Sequence, residues 1–426
     1  MVKSRKPGSA RFFCEGAPAR YTADNTFFIM TQADRWMLPD GIAEILPADA
    51  VQIETLRRRL LDLYHSWGYE LVIPPMLEFT ESLLIGMGHD LDLSTFKVTD
   101  QLSGRTLGIR ADITPQTARI DAHSFPRAGA NRLCYAGHVL HTRPRTAMGS
   151  RAPIQIGAEL YGVESLQADI EVISLMLESL QVAGVEQIHL DLGHVAIYRS
   201  LASAAGLDGE QRRELFALLQ SKASADVQRW VSDNVADPQV AAWLRALPGL
   251  AGGCDCLARA RDLMAGAPAE LQGALADLQQ LAESLAQRYP AVALFFDLSE
   301  VRGYDYETGL VFAAYTPGHG QALANGGRYN GIGAVFGRNR PATGFSSDLV
   351  SLNTLGRPPE LENNAVLAPL AEGPDGESLW RAVEVLRGKG EVVISALPDG
   401  AEGEVQSRCN RELVLDGGDW VVKPRG

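Results

Sequence analysis

The chain has 426 residues, of which 46% are hydrophobic and 21% charged, and its formal net charge is −13. That length and apolar content suit two or three domains around at least one large core and exclude a disordered or fibrous chain. The acidic balance argues against a protein whose main task is wrapping nucleic acid, because neutralising phosphates needs a basic field, and no apolar run reaches the roughly 20 residues that cross a bilayer.

Residues 1–35 read as a disordered N-terminal extension. Within it, Lys3, Arg5, Lys6, Arg11 and Arg20 outnumber Glu15 and Asp24 up to residue 29, and no apolar period is present. An organelle presequence has the same basic composition; a tail, or upstream sequence ahead of an alternative start at Met30, is the plainer reading. Folded pattern begins near Trp36. "DAVQIETLRRRLLDLYHSWG" predicts an amphipathic helix whose stripe is Val51, Leu56, Leu60, Leu63 and Trp67, with Gly68 as its stop. "YELVIPP" reads as a strand ended by Pro74–Pro75. "STFKVTD" and "TLGIRADITP" form a hairpin pair around Ser103–Gly104, and "TPQTARIDAHSF" is a helix with Pro115 in its first turn.

Two strands follow, "NRLCYAGHVLHT" and "IQIGAELYG", joined by a basic, irregular loop with Arg143, Arg145 and Arg151. Strand alternation in the second puts Gln155 and Glu159 on one face, against Ile154, Ile156 and Leu160 on the other. A long helix, "LQADIEVISLMLESLQVAGV", and the strand "QIHLDLGH" complete a first core segment, 36–200. Residues 201–290 then turn almost purely helical with no strand signal, as an inserted subdomain would. Strands resume over 291–355 with "VALFFDLSE", "GLVFAAYTP" and "ALANGGRYNGI", which read as antiparallel runs joined by turns and not as βαβ units. Beyond the linker-like "NTLGRPPELENNA", residues 364–426 read as a small unit: strand, helix, strand, then a hairpin turning at Asp416–Gly417–Gly418.

The chemistry-bearing motifs of nucleotide, zinc and serine enzymes are absent: Gly388–Lys389–Gly390 lacks the rest of a phosphate loop. The five cysteines, Cys14, Cys134, Cys254, Cys256 and Cys409, are too few for a disulfide framework and predict a reducing, cytoplasmic setting. Cys254 and Cys256 have no second pair at zinc spacing, so no metal or cofactor is expected, and they read as helix-packing residues. His138 and His141 would face opposite sides of a strand. What remains is polar clusters on strands: Asp112 and Thr114, Gln155 and Glu159, then Glu300, Arg302, Asp305, Tyr306 and Glu307, and the Gly-rich turn with Arg328. Such acids, an amide and tyrosines could hold a small cationic ligand, such as an ammonium or an imidazole, or could be ordinary surface and hairpin-capping groups.

From about Leu38 to Leu355 the order of elements resembles the catalytic domain of histidyl-tRNA synthetase, a class II aminoacyl-tRNA synthetase. "LPDGIAEILP" and "YELVIPPMLE" are similar to that family's first motif, with Pro75 at the dimer-forming proline; "IRADITPQTAR" is similar to its LRPEGT segment, "IQIGAELYG" to HQFGVEVFG, "VRGYDYETG" to VRGLDYY and "ANGGRYNG" to GGGRYDG. The resemblance implies an α+β fold: a class II aminoacyl-tRNA synthetase-like antiparallel sheet flanked by helices, with a helical insertion and a small C-terminal α/β unit. It also implies a histidine pocket at Asp112, Thr114, Gln155, Glu159, Arg302 and Tyr306, in which Asp112 is a shortened carboxylate and Glu307 replaces a second tyrosine.

The nucleotide side departs from that pattern. The synthetase's FRHERP motif supplies an arginine that binds both substrates and a Glu that contacts adenine. Counted forward from Tyr135–Ala136–Gly137 these positions are His141 and Arg143; counted back from Arg143–Pro144 they are Leu140 and Thr142. Motif 3, GFAMGLERL in the synthetase, is "GFSSDLVSL" here, with Asp348 for Gly, Val350 for Glu, and Ser351 for the arginine that stacks on ATP. Losing such fixed cations suppresses adenylate formation, since one preorganised group is worth about 10²–10³ in rate. His141, Arg143, Arg151 and Ser351 therefore mark a degenerate nucleotide site. A histidine pocket without ATP machinery resembles the regulatory-subunit family of ATP phosphoribosyltransferase. That resemblance implies a non-catalytic partner of the short catalytic subunit, required for its activity and for feedback inhibition by L-histidine in the first step of histidine biosynthesis. It further implies a hetero-octamer built on synthetase-like dimers, no tRNA, and a tail like a truncated anticodon-binding domain. The alternatives are an active histidyl-tRNA synthetase, or a synthetase-like domain serving another partner.

Overall fold

The computed structural model describes residues 36–84, 89–144, 149–300, 307–356, 364–397 and 408–425, together with the backbone of 19–21 and 27–29. The chain divides into two compact units, Met1–Pro358 and Pro359–Gly426.

In the first unit, strands β1 (Ala19–Tyr21) and β2 (Phe27–Ile29) pair with each other antiparallel. Helix α1 (Pro47–Ser66) leads into β3 (Glu70–Leu71) and β4 (Leu77–Phe79). Short helices α2 (Thr80–Leu83) and α3 (His89–Ser94) precede the hairpin β5 (Phe96–Thr99) and β6 (Thr106–Ile109). Helix α4 (Thr114–Arg119), with Pro115 in its first turn, runs into a π-helical turn, Ile120–Ser124. β7 (Asn131–His138) and β8 (Ile154–Tyr161) are followed by α5 (Leu166–Val182) and β9 (His189–His194). The helical block comprises α6 (Val195–Ala204), α7 (Gly209–Gln220), α8 (Ser224–Asn234), α9 (Pro238–Ala246), the two-residue strand β10 (Ala251–Gly252), α10 (Asp255–Leu263) and α11 (Ala269–Arg288). β11 (Ala293–Asp297), β12 (Leu310–Tyr315), β13 (Ala324–Arg328), β14 (Ala342–Asp348) and α12 (Leu349–Leu355) close the unit.

Nine of these strands form one sheet in the order β10-β11-β9-β12-β13-β14-β8-β7-β3. Its middle is antiparallel, but β11 runs parallel to β9 and β3 parallel to β7. This corrects the expectation that the later strands are all antiparallel. The helical block leaves β9 and returns at β11, so it is itself the crossover that a parallel pair requires. β10 likewise corrects the expectation of an uninterrupted helical block: two residues pair with the end of β11, too few to show as a strand pattern.

α5 lies across the sheet and is buried on nearly every side, because it also packs against α1 and α11. The stripe of α1 differs from the expected one. Leu56 and Leu60 are buried, but their companions are Ile53 and Tyr64, and Val51 is exposed. Tyr64 instead sets its ring edge-on to Phe345 of β14, 6.0 Å between centroids. Cys256 is buried in α10, whereas Cys254 is exposed at that helix's start, so only one of the pair packs. Among the described residues no helix is long and apolar enough to cross a membrane, and no group of three or more His, Cys, Asp or Glu side chains is arranged to hold a metal ion.

The second unit holds β15 (Ala365–Ala368), α13 (Gly373–Gly388), β16 (Val393–Ser395), and the hairpin β17 (Cys409–Asp416) and β18 (Asp419–Pro424). Its sheet order is β16-β15-β17-β18, and Val366, Leu379, Val383, Val393 and Leu413 form its core. Asp416 pairs with Asp419, and Gly417 and Gly418 take φ of 62° and 97°. A two-residue hairpin turn of this hand needs positive φ at both positions, which glycine adopts without strain.

Candidate functional site

The alternation of β8 decides what faces the core and what faces the site. Ile154, Ile156, Ala158 and Leu160 join the main core under α1 and α5. Gln155, Gly157, Glu159 and Tyr161 point to the other side, and all four are nonetheless buried or nearly so. Two glycines make room there. A side chain at Gly157 would meet the Tyr135 hydroxyl at 2.6 Å, and one at Gly344, the β14 partner of Glu159, would overlap the Glu159 carboxylate.

The carboxylate of Glu159 is fully enclosed. Its Oε1 accepts from the Thr114 hydroxyl at 3.0 Å and the Tyr135 hydroxyl at 3.2 Å, and its Oε2 accepts from the Tyr329 hydroxyl. Burial pushes its pKa up to about 8, against the opposing pull of those hydroxyl donors. Tyr161 stands edge-on to Tyr329, 6.5 Å between centroids, and its hydroxyl meets that of Thr117 at 2.9 Å. Four residues apart on the same face, Gln155 accepts from the Ile113 amide at 2.9 Å and donates to Asp112 Oδ1 at 2.9 Å. Asp112 Oδ1 also accepts from the Thr114 amide at 2.9 Å, so the turn into α4 is clamped onto β8. Asp112, Thr114, Gln155 and Glu159, four of the expected histidine-pocket residues, thus form one hydrogen-bonded network; Arg302 and Tyr306 lie outside the described residues.

Beside this network a cavity of about 490 Å³ opens on the same sheet. Its lining includes the carboxylates of Asp191, Asp297, Glu300, Glu307 and Asp348, and no lysine or arginine among the described residues. Of the expected nucleotide positions, His141 and Ser351 line it. His141 is buried, with Nε2 held 2.9 Å from the Ala111 carbonyl. Ser351 is held by Asp348, which caps α12: Asp348 Oδ2 accepts from the Ser351 hydroxyl at 2.6 Å and its amide at 3.2 Å, and Oδ1 from the Ile154 amide at 3.1 Å. The first-turn amides of α12, which would otherwise favour an anion, are therefore occupied by the protein's own carboxylate. Arg151 is engaged elsewhere, donating to the carbonyls of His141 at 3.1 Å and Asp40 at 3.1 Å, and Arg143 is exposed.

The tyrosines are what sequence reading missed. Tyr135 and Tyr329 complete the cage around Glu159, yet they come from β7 and from the end of β13. Tyr329 sits in the quoted "NGGRYNG", where Arg328 is the more conspicuous residue. Arg328 instead forms a buried ion pair with Asp169 of α5, 2.7 Å from Nη2 to Oδ2, and donates to the carbonyls of Val163 and Ser165.

Comparison with known proteins places the chain in a family. The family description "Histidyl-tRNA synthetase" matches residues 41–352, and "ATP phosphoribosyltransferase subunit HisZ C-terminal domain" matches residues 363–423. An ATP phosphoribosyltransferase regulatory subunit from Cellvibrio japonicus is 55% identical over 93% of this chain and 98% of its own length. The chain belongs to the ATP phosphoribosyltransferase regulatory subunit family. Another such regulatory subunit, from Pseudomonas aeruginosa, is 54% identical over 93% of this chain and 99% of its own. Among solved structures, an ATP phosphoribosyltransferase regulatory subunit/histidyl-tRNA synthetase from Bacillus halodurans superposes with a TM-score of 0.75 at 28% identity, over 87% of this chain and 95% of that one. Histidyl-tRNA synthetase from Nostoc, at 16% identity, shares the fold with a TM-score of 0.73, over 91% of this chain and 97% of that one. The class II synthetase-like fold is therefore present, and the family's role is regulatory.

Proposed function

We propose that this protein is the non-catalytic regulatory partner of a short-form ATP phosphoribosyltransferase catalytic subunit, acting in the cytoplasm at the first step of histidine biosynthesis. It is required for the partner's activity and conveys feedback inhibition by L-histidine. The observation that carries this reading is the Asp348–Ser351 cap: where the synthetase resemblance places the ATP-stacking arginine, a serine is tied to a carboxylate at the rim of an acidic cavity. Phosphates are repelled from such a surface and ammonium groups are attracted. The Asp112–Thr114–Gln155–Glu159 network beside the cavity supports L-histidine as the ligand.

The same reading includes self-association into a synthetase-like dimer as the base of a hetero-octamer, and no tRNA. It is supported by the apolar run beside β3, an edge strand of the large sheet. Leu71, Ile73, Met76 and Leu77 are all exposed, Ile73 to 84%. Arg110 and Gln116 hold the carbonyls of Pro74 and Pro75 from behind at 2.7 and 2.8 Å, so these side chains are displayed outward by a fixed backbone. Monomers seldom expose contiguous apolar surface of this kind.

The test is reconstitution. Mixed with a short catalytic subunit, the purified chain should raise phosphoribosyl transfer to ATP, and L-histidine should suppress it. Histidine-dependent exchange of pyrophosphate into ATP by the chain alone would overturn the reading in favour of an active synthetase.

A further inference from the structure

Lys222 joins the helical block to the wall of the acidic cavity, and does so from an uncommon backbone conformation. α7 ends at Gln220, and Lys222 follows at φ 55°, the one non-glycine residue with positive φ among the described residues. Its amide donates to the Leu219 carbonyl at 3.0 Å and the Ala223 amide to that of Leu218 at 3.1 Å, the bonds of a left-handed helix stop. Glycine is the usual residue there, because in any other L-residue the Cβ crowds the neighbouring backbone. These backbone bonds hold Lys222 in that conformation, and its side chain makes further contacts.

Its ammonium touches the cavity wall. Nζ donates to Asp297 Oδ2 at 2.5 Å and to the Ser299 hydroxyl at 3.1 Å. Asp297 Oδ1 accepts from the Ser299 amide at 3.0 Å and its hydroxyl at 2.7 Å, so the carboxylate is fixed in place. Asp297 ends β11, pairs with Ala251 of β10, and lines the cavity with Glu300. The turn between α7 and α8 is thus tied to one of the carboxylates that line the cavity.

We propose that Lys222 is a positioning residue through which the helical block responds to occupancy of the acidic cavity: a ligand ammonium competes with it for Asp297 and loosens the α7–α8 turn. The inference rests on the reading that this cavity takes L-histidine. Two cations sharing one carboxylate repel each other, and the coupling is reciprocal: whatever the lysine costs the ligand, the ligand costs the lysine.

The experiment titrates L-histidine calorimetrically into the full chain and its Lys222→Met, Lys222→Gly and Lys222→Arg variants, and follows amide hydrogen exchange at 218–226. Lys222→Met and Lys222→Gly should bind histidine about 5-fold tighter or more, with the gain shrinking at high salt, while Lys222→Arg stays near wild type. Lys222→Gly also relieves the left-handed strain, so its tighter binding could not come from a damaged fold. In the wild type, histidine should speed exchange at the turn. Equal affinities across the series, or a turn whose exchange histidine leaves unchanged, would overturn the inference while leaving histidine binding intact. Absence of histidine binding to every form would remove the underlying site reading and the inference with it.

Discussion

Ser351 donates both its hydroxyl and its amide to Asp348, at 2.6 and 3.2 Å, at the mouth of the acidic cavity. One carboxylate thereby caps α12 and takes up its first-turn amides. Asp348→Ala should cost about 1 kcal/mol of stability, the usual worth of such a cap, measurable as a lower thermal midpoint. Ser351→Arg should not create ATP–pyrophosphate exchange, because the new guanidinium would pair with Asp348 among further carboxylates.

Glu159 predicts an unusual pH dependence. Its carboxyl titrates near 8 in the folded protein, well above the ordinary carboxylate range reached on unfolding. The protonated form therefore favours the folded state, and its contribution is complete at acidic pH below the unfolded pKa. It is lost as pH rises through the folded value, on the order of a few kcal/mol across that window. Glu159→Gln keeps the shape and removes the titration. Urea midpoints of the variant should gain on the wild type steadily from pH 5 to pH 8; parallel curves would contradict the buried carboxyl.

Gly344 is needed for that same carboxylate. Gly344→Ala places a methyl group onto Glu159 Oε2 and forces either the strand or the acid to move. Overpacking of this kind costs about 1–3 kcal/mol. The variant should lose stability in denaturant titrations and weaken histidine-dependent inhibition of the reconstituted complex.

Ile73→Asp tests the self-association face. Ile73 is largely exposed in the isolated chain, so an aspartate there leaves the monomer's fold unchanged. In a dimer it would bury an unpaired charge. Light scattering should report a shift from dimer to monomer, and an unchanged mass would move the interface elsewhere.

Much of the local structure is legible in the residues because its causes are local. Gln155 and Glu159 share a face because side chains alternate along a strand, and Pro115 marks the first turn of α4 because proline fits there without losing a bond. The β17–β18 turn follows from Gly417–Gly418 for the same kind of reason. The larger failures are long-range. β11 pairs parallel with β9 across the whole helical block, and no local pattern encodes such a partner. Val51 belongs to the apolar stripe of α1 by period, but the edge of the helix that packs is set by where α5 and β14 lie.

The sequence by itself determined the family, the fold class and the loss of the motif-3 arginine, since these are matters of residue identity and order. The tertiary structure decided what these side chains do: Asp348 closes onto Ser351, Arg151 turns away to the carbonyls of Asp40 and His141, and Tyr135 and Tyr329 converge on Glu159. Hydrogen bonds and burial depend on distances between strands far apart in the chain, and only the assembled sheet sets those distances.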